Sequence, residues 1–117
     1  MAGIYIHIPF CKQACNYCNF HFSTSLKMKE DMLAAIHYEL ELQKYYLQHL
    51  VIETIYLGGG TPSLLSADEL NRLTEIIGTH YNINNLKEYT IETNPDDLNT
   101  QYIKSLKSTP VSRFSIG

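Results

Sequence analysis

The chain has 117 residues, of which 44 % are hydrophobic and 18 % charged, and its formal net charge is -3. This length fits one small domain or part of a larger one, and the acidic balance disfavours nucleic acid or an anionic membrane surface as a partner. No apolar run approaches the roughly 20 residues that span a bilayer, and residues 1–9 lack the basic region and cleavage site of a signal peptide. We therefore expect a cytoplasmic globular protein without an integral membrane segment.

The predicted elements alternate between strands and helices along the chain. A strand is predicted where β-branched and aromatic residues cluster or alternate, and a helix where apolar residues recur on one helical face. The strands are predicted over residues 3–9, 52–57, 88–93 and 111–116. The helices are predicted from 27 to about 48, from Ser66 onwards, and from 99 to about 107.

The first two predicted helices have recognisable apolar faces. In the second helix Glu69 follows Ser66 by three residues, which is the pattern of a capping box at a helix N-terminus. The face of the first helix comprises Met28, Met32, Ile36 and Leu40, and that of the second Leu70, Leu73, Ile76 and Ile77. We expect both faces to pack on a sheet.

The order βαβαβαβ predicts an α/β fold, because strands joined by helical crossovers run parallel. The pattern fits both an open doubly wound sheet and a barrel or partial barrel, and in either one functional loops lie at the carboxyl ends of the strands. The cysteine-bearing loop 10–25, the glycine run 58–60 and residues 94–97 each follow a strand, so we expect them to converge. A four-stranded sheet of this kind has an open edge. We therefore expect a piece of a longer protein that is marginally stable alone.

All three cysteines of the chain, Cys11, Cys15 and Cys18, lie within one short loop. An odd, local cluster is a poor disulfide framework and indicates metal or redox chemistry in a chain without a secretion signal. Three thiolates can ligate three irons of a cubane cluster and leave the fourth iron open. His21 could instead complete a Cys3His zinc site, and three free thiols are a further alternative. The position directly after a strand favours the iron–sulfur cluster.

A glycine run and a strand carboxylate are further candidates for ligand binding. Glycines at 58–60 let the backbone approach a ligand closely, although such a run is often only a turn. Glu92, in the third strand, is costly to bury unless it has a partner, which could be a ribose, an ammonium group or a cation such as Arg113. Tyr5 and His7, in the first strand, are interpreted from their residue types as structural.

Five motifs in order resemble the radical S-adenosylmethionine (SAM) superfamily, and within it the subfamily of oxygen-independent coproporphyrinogen III oxidases (HemN) and heme chaperones (HemW). They are Tyr-Ile-His-Ile-Pro-Phe-Cys at 5–11, Cys-Asn-Tyr-Cys at 15–18, Gly-Gly-Gly-Thr-Pro-Ser at 58–63, Glu-Thr-Asn-Pro at 92–95 and Arg-Phe-Ser-Ile-Gly at 113–117. The resemblance implies that residues 1–117 form the N-terminal part of a radical SAM core domain, which is a partial (β/α)6 TIM-like barrel.

The resemblance also implies the cofactors and their ligands. Cys11, Cys15 and Cys18 would hold a [4Fe–4S] cluster, whose open iron binds SAM and whose electron cleaves SAM to methionine and a 5′-deoxyadenosyl radical. The positions that match SAM contacts of the family are Tyr5, Tyr17, Gly59, Gly60, Thr61 and Glu92. Gly60 and Thr61 also match a second SAM site of the oxidase. No catalytic residue of this chain is implied.

One position separates the two branches of the subfamily. The oxidase has a further cysteine two residues after the third ligand, where this chain has Phe20, and this difference favours the heme chaperones. Asn19 departs from the Asp that usually follows the third cysteine in the subfamily. The resemblance thus implies a protein that binds heme as cargo and transfers it to an acceptor protein, with an electron donor for the cluster. The alternative is an enzyme that oxidatively decarboxylates a porphyrinogen.

Overall fold

The computed structural model describes residues 2–8, 22–45, 50–59, 65–93, 95 and 98–116, with the backbone alone for residues 22–28. Within these ranges strands and helices alternate in the predicted order. The elements are β1 (Ala2–Ile8), α1 (Phe22–Leu42), β2 (Ile52–Gly59), α2 (Ala67–His80), β3 (Glu88–Thr93), α3 (Thr100–Leu106) and β4 (Arg113–Ile116).

The four strands form one sheet in the order β1-β2-β3-β4, and all neighbouring strands are parallel. The predicted α/β fold is therefore confirmed. In the register, Tyr5 lies opposite Tyr56, Tyr56 lies opposite Thr90, and Glu92 lies opposite Ser115. Because the strands are parallel, their carboxyl ends meet at the same edge of the sheet.

The two faces of the sheet differ in character because successive side chains of a strand point to opposite sides. One face is apolar and packs beneath the helices, and most of its side chains on β2 and β3 are buried. The fully buried members of this core include Ile8, Ile55, Leu57, Tyr89 and Ile91 from the strands, with Leu70, Leu73 and Ile77 from α2. The opposite face is more exposed, and Tyr5 on β1 retains 59 % of its accessible surface.

Helix α2 begins as the sequence predicts. Ser66 is its N-cap, the Ser66 Oγ atom accepts from Glu69 N at 3.2 Å, and Glu69 Oε1 accepts from Ser66 N at 2.9 Å. The predicted capping box is confirmed, and it satisfies amide groups that the first turn of a helix otherwise leaves unpaired. Over the described part of the chain, none of the helices combines the length and hydropathy of a membrane span.

Helix α1 differs from its predicted boundaries at both ends. It begins at Phe22 rather than Lys27 and ends at Leu42 rather than near Gln48, followed by a turn in which Lys44 N donates to Glu41 O at 3.4 Å. The prediction depended on the absence of Gly and Pro, which permits a helix but does not locate its ends. On the predicted face Leu40 is buried, and Met32 and Ile36 pack against the core. The Met28 side chain lies outside the described residues.

Candidate functional site

The exposed side of the sheet carries a row of polar and aromatic residues from all four strands. We call it the polar face and define it by Tyr5, His7, Tyr56, Gly58, Thr90, Glu92 and Ser115, which alternate with the core residues. Since Gly58, Glu92 and Ser115 lie towards the carboxyl ends of their strands, this part of the polar face adjoins the edge where loops follow the strands. Functional groups of α/β proteins gather at this edge.

The centre of the polar face is a contact between Tyr56 and Glu92. The Tyr56 hydroxyl donates a hydrogen bond of 2.7 Å to Glu92 Oε1, and the Tyr5 ring stacks on the Tyr56 ring with centroids 5.5 Å apart and planes 14° apart. A hydrogen bond to a carboxylate is stronger than one between neutral groups. The Glu92 carboxylate therefore has a hydrogen-bond donor in the Tyr56 phenol.

Glu92 is not paired with Arg113, which the sequence left open as an alternative. Arg113 Nη1 lies 3.0 Å from Glu88 Oε1, and both side chains are largely exposed. Arg113 lies opposite Thr90, so Glu88 and Glu92 flank it on the same face, and the guanidinium pairs with Glu88. The carboxylate of Glu92 is thus not committed to this guanidinium.

Gly58 lies between Tyr5 and Glu92. A Cβ atom at this position would lie 2.5 Å from the Tyr5 hydroxyl and 2.9 Å from Glu92 Oε1. These distances are shorter than van der Waals contact, so a glycine is required for the two polar atoms to approach each other here. The position that a side chain of residue 58 would take is occupied by the Tyr5 hydroxyl and the Glu92 carboxylate.

Gly59 is constrained by its backbone. Its φ angle is +104°, and a Cβ atom would lie 2.7 Å from the His7 ring and 2.7 Å from the carbonyl oxygen of Ile8. Non-glycine residues rarely adopt this conformation. Gly59 therefore takes a conformation reserved for glycine at the end of β2, opposite Ile8 at the end of β1, the strand that the cysteine loop follows in sequence.

The Tyr56 phenol has a perturbed acidity. The side chain of Ser115 lowers the pKa of Tyr56, whereas the hydrogen bond to Glu92, desolvation and the negative charge of Glu92 raise it, and the net pKa is above its ordinary value of 10.0. The phenol is therefore protonated at neutral pH and acts as a donor to the carboxylate. The hydrogen bond thus joins a phenol of β2 to a carboxylate of β3.

The predicted site residues divide between described and undescribed parts of the chain. Of the predicted SAM contacts, Tyr5, Gly59 and Glu92 are described, and Tyr5 and Glu92 share the polar face. The predicted residues outside the described ranges are Cys11, Cys15, Cys18, Tyr17, Gly60 and Thr61, together with Asn19, Phe20 and His21.

Two sequence interpretations change with the structure. Tyr5 and His7 do not pack in the core as their residue types suggested, because both lie exposed on the polar face. Tyr56 and Ser115 were not predicted as site residues. The alternation of Tyr56 and Gly58 with Ile55 and Leu57 was the signal that placed Tyr56 on the face opposite the core.

Comparison with known proteins identifies the class. The sequence model of the Radical SAM superfamily matches residues 5–117. The chain therefore belongs to the radical SAM superfamily, and the predicted resemblance is confirmed.

Among curated proteins, the chain is similar to heme chaperones. It is 41 % identical over 114 residues to the heme chaperone HemW of Lactococcus lactis, a match that covers 97 % of this chain and 29 % of the relative. It is 35 % identical over 119 residues to HemW of Bacillus subtilis, a match that covers 100 % of this chain and 31 % of that relative. The chain thus spans about three tenths of the length of these relatives.

Among solved structures, the chain resembles coproporphyrinogen III oxidase (HemN) of Escherichia coli, which is described as a radical SAM enzyme. The TM-score is 0.79 at 23 % identity, and the match covers 99 % of this chain and 27 % of that protein. At this identity the likeness supports the shared fold. The expected TIM-like architecture of the core domain is consistent with this match.

Proposed function

We propose that this chain forms part of the cofactor-binding core of a radical SAM protein whose whole length binds heme and transfers it to an acceptor protein. Cys11, Cys15 and Cys18 hold a [4Fe–4S] cluster in this proposal, and SAM lies against the polar face. The observation that carries it is the convergence of Tyr5, Gly58 and Glu92 at the carboxyl side of the sheet. β1, which ends at this edge, is followed in sequence by the cysteine loop.

The described residues fit the chemistry of SAM. The Glu92 carboxylate can accept hydrogen bonds from the ammonium group or the ribose hydroxyls, and one of its oxygens is already oriented by Tyr56. Gly58 lies against the same carboxylate oxygen, so a side chain at this position would displace it. The exposed ring of Tyr5 can attract a sulfonium cation through its π face. By resemblance, Tyr17, Gly59, Gly60 and Thr61 complete the SAM contacts.

The cysteine ligands give the site its redox chemistry. Three thiolates leave one iron of the cubane open for the amino and carboxylate groups of SAM. When bound, the reduced cluster supplies the electron for cleavage of the SAM sulfonium. The protein orients SAM through Glu92 and the glycine run, and the radical chemistry itself is that of the cofactor.

The proposed cargo follows from the relatives and from one residue. Proteins that share 35–41 % of this sequence are named heme chaperones. Phe20 stands where the oxidase branch has its additional cysteine, which is a difference in the same loop as the cluster ligands. We propose heme, rather than a porphyrinogen substrate, as the ligand of the whole protein. The heme-accepting protein and the electron donor are further partners, and a cytoplasmic location stays a prediction.

The cluster is tested by anaerobic reconstitution of the full-length protein with iron and sulfide. We expect an electron paramagnetic resonance signal of a [4Fe–4S]⁺ cluster after reduction with dithionite, and a change of its shape when SAM is added. Cys11→Ser should lose the cluster signal and its response to SAM, whereas His21→Ala should retain the signal and the response. One tightly bound zinc ion that is lost in Cys11→Ser and in His21→Ala would overturn the proposal in favour of a Cys3His site.

The cargo is tested by titration of the full-length protein with hemin. We expect a saturable shift of the heme absorption band at a stoichiometry of one, and transfer of the heme to an acceptor such as an apo-hemoprotein. Incubation with coproporphyrinogen III, SAM and reductant should give no decarboxylated product. Turnover of coproporphyrinogen III without stoichiometric heme binding would contradict the chaperone function and favour the oxidase.

A further inference from the structure

We propose that Tyr56 is a positioning residue for SAM, which holds the Glu92 carboxylate in the orientation that accepts a hydrogen bond from the cofactor. This inference rests on the proposed function, since it assigns a role within the same site. It concerns a residue that lies outside the cysteine, glycine and glutamate motifs. The supporting observations are the hydrogen bond, the strand register and the packing of the phenol.

The register directs the Tyr56 hydroxyl towards the carboxyl edge of the sheet. Tyr56 lies opposite Thr90 on β3, and Glu92 is the next residue of β3 on the same face. The hydrogen bond of 2.7 Å to Glu92 Oε1 therefore runs diagonally between strands, away from the centre of the sheet. The phenol thereby fixes the carboxylate oxygen that lies against Gly58.

The phenol is itself held by aromatic stacking. The Tyr5 ring stacks on it with centroids 5.5 Å apart and planes 14° apart. An oriented donor loses little additional rotational freedom when a ligand binds. The carboxylate therefore meets SAM in a preorganised state, rather than as a freely rotating strand side chain.

A second tyrosine shows the contrast with a structural role. Tyr89 on β3 is fully buried in the core, and its hydroxyl lies 2.9 Å from Thr74 Oγ1 on α2. Tyr89 lies opposite Ile55 in the register, so it faces the side of the sheet opposite to Tyr56. One tyrosine hydroxyl thus links a strand to a helix inside the core, and the other meets a carboxylate on the exposed face.

The test compares two substitutions that each remove one tyrosine hydroxyl. Tyr56→Phe keeps the ring that stacks on Tyr5, and Tyr89→Phe is the matched control on the core side. In the reconstituted full-length protein, we expect Tyr56→Phe to raise the dissociation constant for SAM about tenfold. This is the order expected for the loss of a hydrogen bond to a charged group. Equilibrium dialysis with labelled SAM measures this constant directly, without any turnover. Tyr89→Phe should leave it unchanged.

A double-mutant cycle tests whether Tyr56 acts through Glu92. Glu92→Ala removes the acceptor, so adding Tyr56→Phe to it should cause no further loss of SAM affinity. Additive losses would mean that Tyr56 acts independently of Glu92 and would overturn the positioning role. Urea unfolding of all variants is measured in parallel, and a Tyr56→Phe protein that is less stable but binds SAM like the unsubstituted protein would overturn it as well.

The outcomes separate this inference from the proposed function. If the unsubstituted protein reconstitutes a cluster and binds SAM, but Tyr56→Phe binds it equally well, only the role of Tyr56 fails. If the unsubstituted protein binds a cluster but no SAM, the proposed SAM site fails and the inference fails with it.

Discussion

Lys29 on α1 forms a salt bridge with Glu69 in the first turn of α2, with 2.8 Å between Nζ and Oε1. The same carboxylate oxygen accepts the Ser66 backbone amide of the capping box at 2.9 Å. Burial raises the pKa of Glu69, but its hydrogen bonds and charge interactions with Lys29 and Ser66 lower it by more, and the net pKa is below its ordinary value of 4.5. One carboxylate therefore caps α2 and connects it to α1.

This connection predicts a pH-dependent contribution to stability. Because the pKa of Glu69 is lower in the folded state, the contribution is present above about pH 4.5 and is lost as the pH falls through the folded-state pKa. Glu69→Gln keeps an N3 side chain that can complete a capping box but removes the charge. We expect it to reduce the free energy of unfolding by about 0.5–1 kcal/mol at neutral pH. Urea unfolding at neutral and at acidic pH measures this difference.

The matched variant for this prediction is Glu69→Ala, which also removes the capping interaction. It should be less stable than Glu69→Gln at neutral pH, and the additional loss should persist in acid. A difference between Glu69→Gln and the unsubstituted protein that is the same at both pH values would contradict an electrostatic role.

Gly58→Ala should impair SAM binding while the fold is retained. The added Cβ would lie 2.5 Å from the Tyr5 hydroxyl and 2.9 Å from Glu92 Oε1, so both polar groups must move. Because this movement displaces the carboxylate proposed to bind SAM, we expect SAM to bind about tenfold or more weakly, the order of one lost hydrogen bond to a charged group. Gly78→Ala in α2 is the control, because its Cβ would meet only the end of the Ile83 side chain at 3.3 Å. Unchanged SAM affinity in Gly58→Ala would argue against a site at this position.

Gly59→Ala should act on stability. The φ angle of +104° is strained for any residue with a Cβ atom, and the new atom would lie 2.7 Å from the backbone oxygen of Ile8, which cannot rotate away. We expect a loss of about 1–3 kcal/mol in the free energy of unfolding, measured by urea titration. Stability equal to that of the unsubstituted protein would show that the end of β2 adapts to a different backbone conformation.

The acidity of Tyr56 should respond in opposite directions to its two neighbours. Glu92→Gln removes the charge that raises the pKa of the phenol, so the pKa should fall, whereas Ser115→Ala removes the interaction that lowers it, so the pKa should rise. Because the folded-state pKa lies above 10.0, the stabilising contact is present below that pH and is lost as the phenol ionises at higher pH.

Ultraviolet difference absorbance measures this ionisation. Subtracting the titration of Tyr56→Phe from that of each protein isolates the one phenol among the other tyrosines. Glu92→Gln and Ser115→Ala titrations that both coincide with that of the unsubstituted protein would show that Tyr56 is not coupled to either neighbour.

The helix ends show which structural features can be predicted from local sequence patterns and which cannot. The capping box at Ser66 and Glu69 was predictable because its donors and acceptors lie within one turn of the chain. The ends of α1 were not, because neither Phe22 nor Leu42 adjoins a Gly or Pro that interrupts the helix.

The sequence by itself determined the alternation of parallel strands with helices, the superfamily, and the loops where cofactor ligands are expected, since periodicity and motif spacing are local properties. Only the tertiary structure decided that Glu92 pairs with Tyr56 rather than Arg113, and that Gly58 lies between Tyr5 and Glu92. These relationships join residues of four strands that are far apart in sequence. A shift of register by one residue would move each side chain to the other face of the sheet.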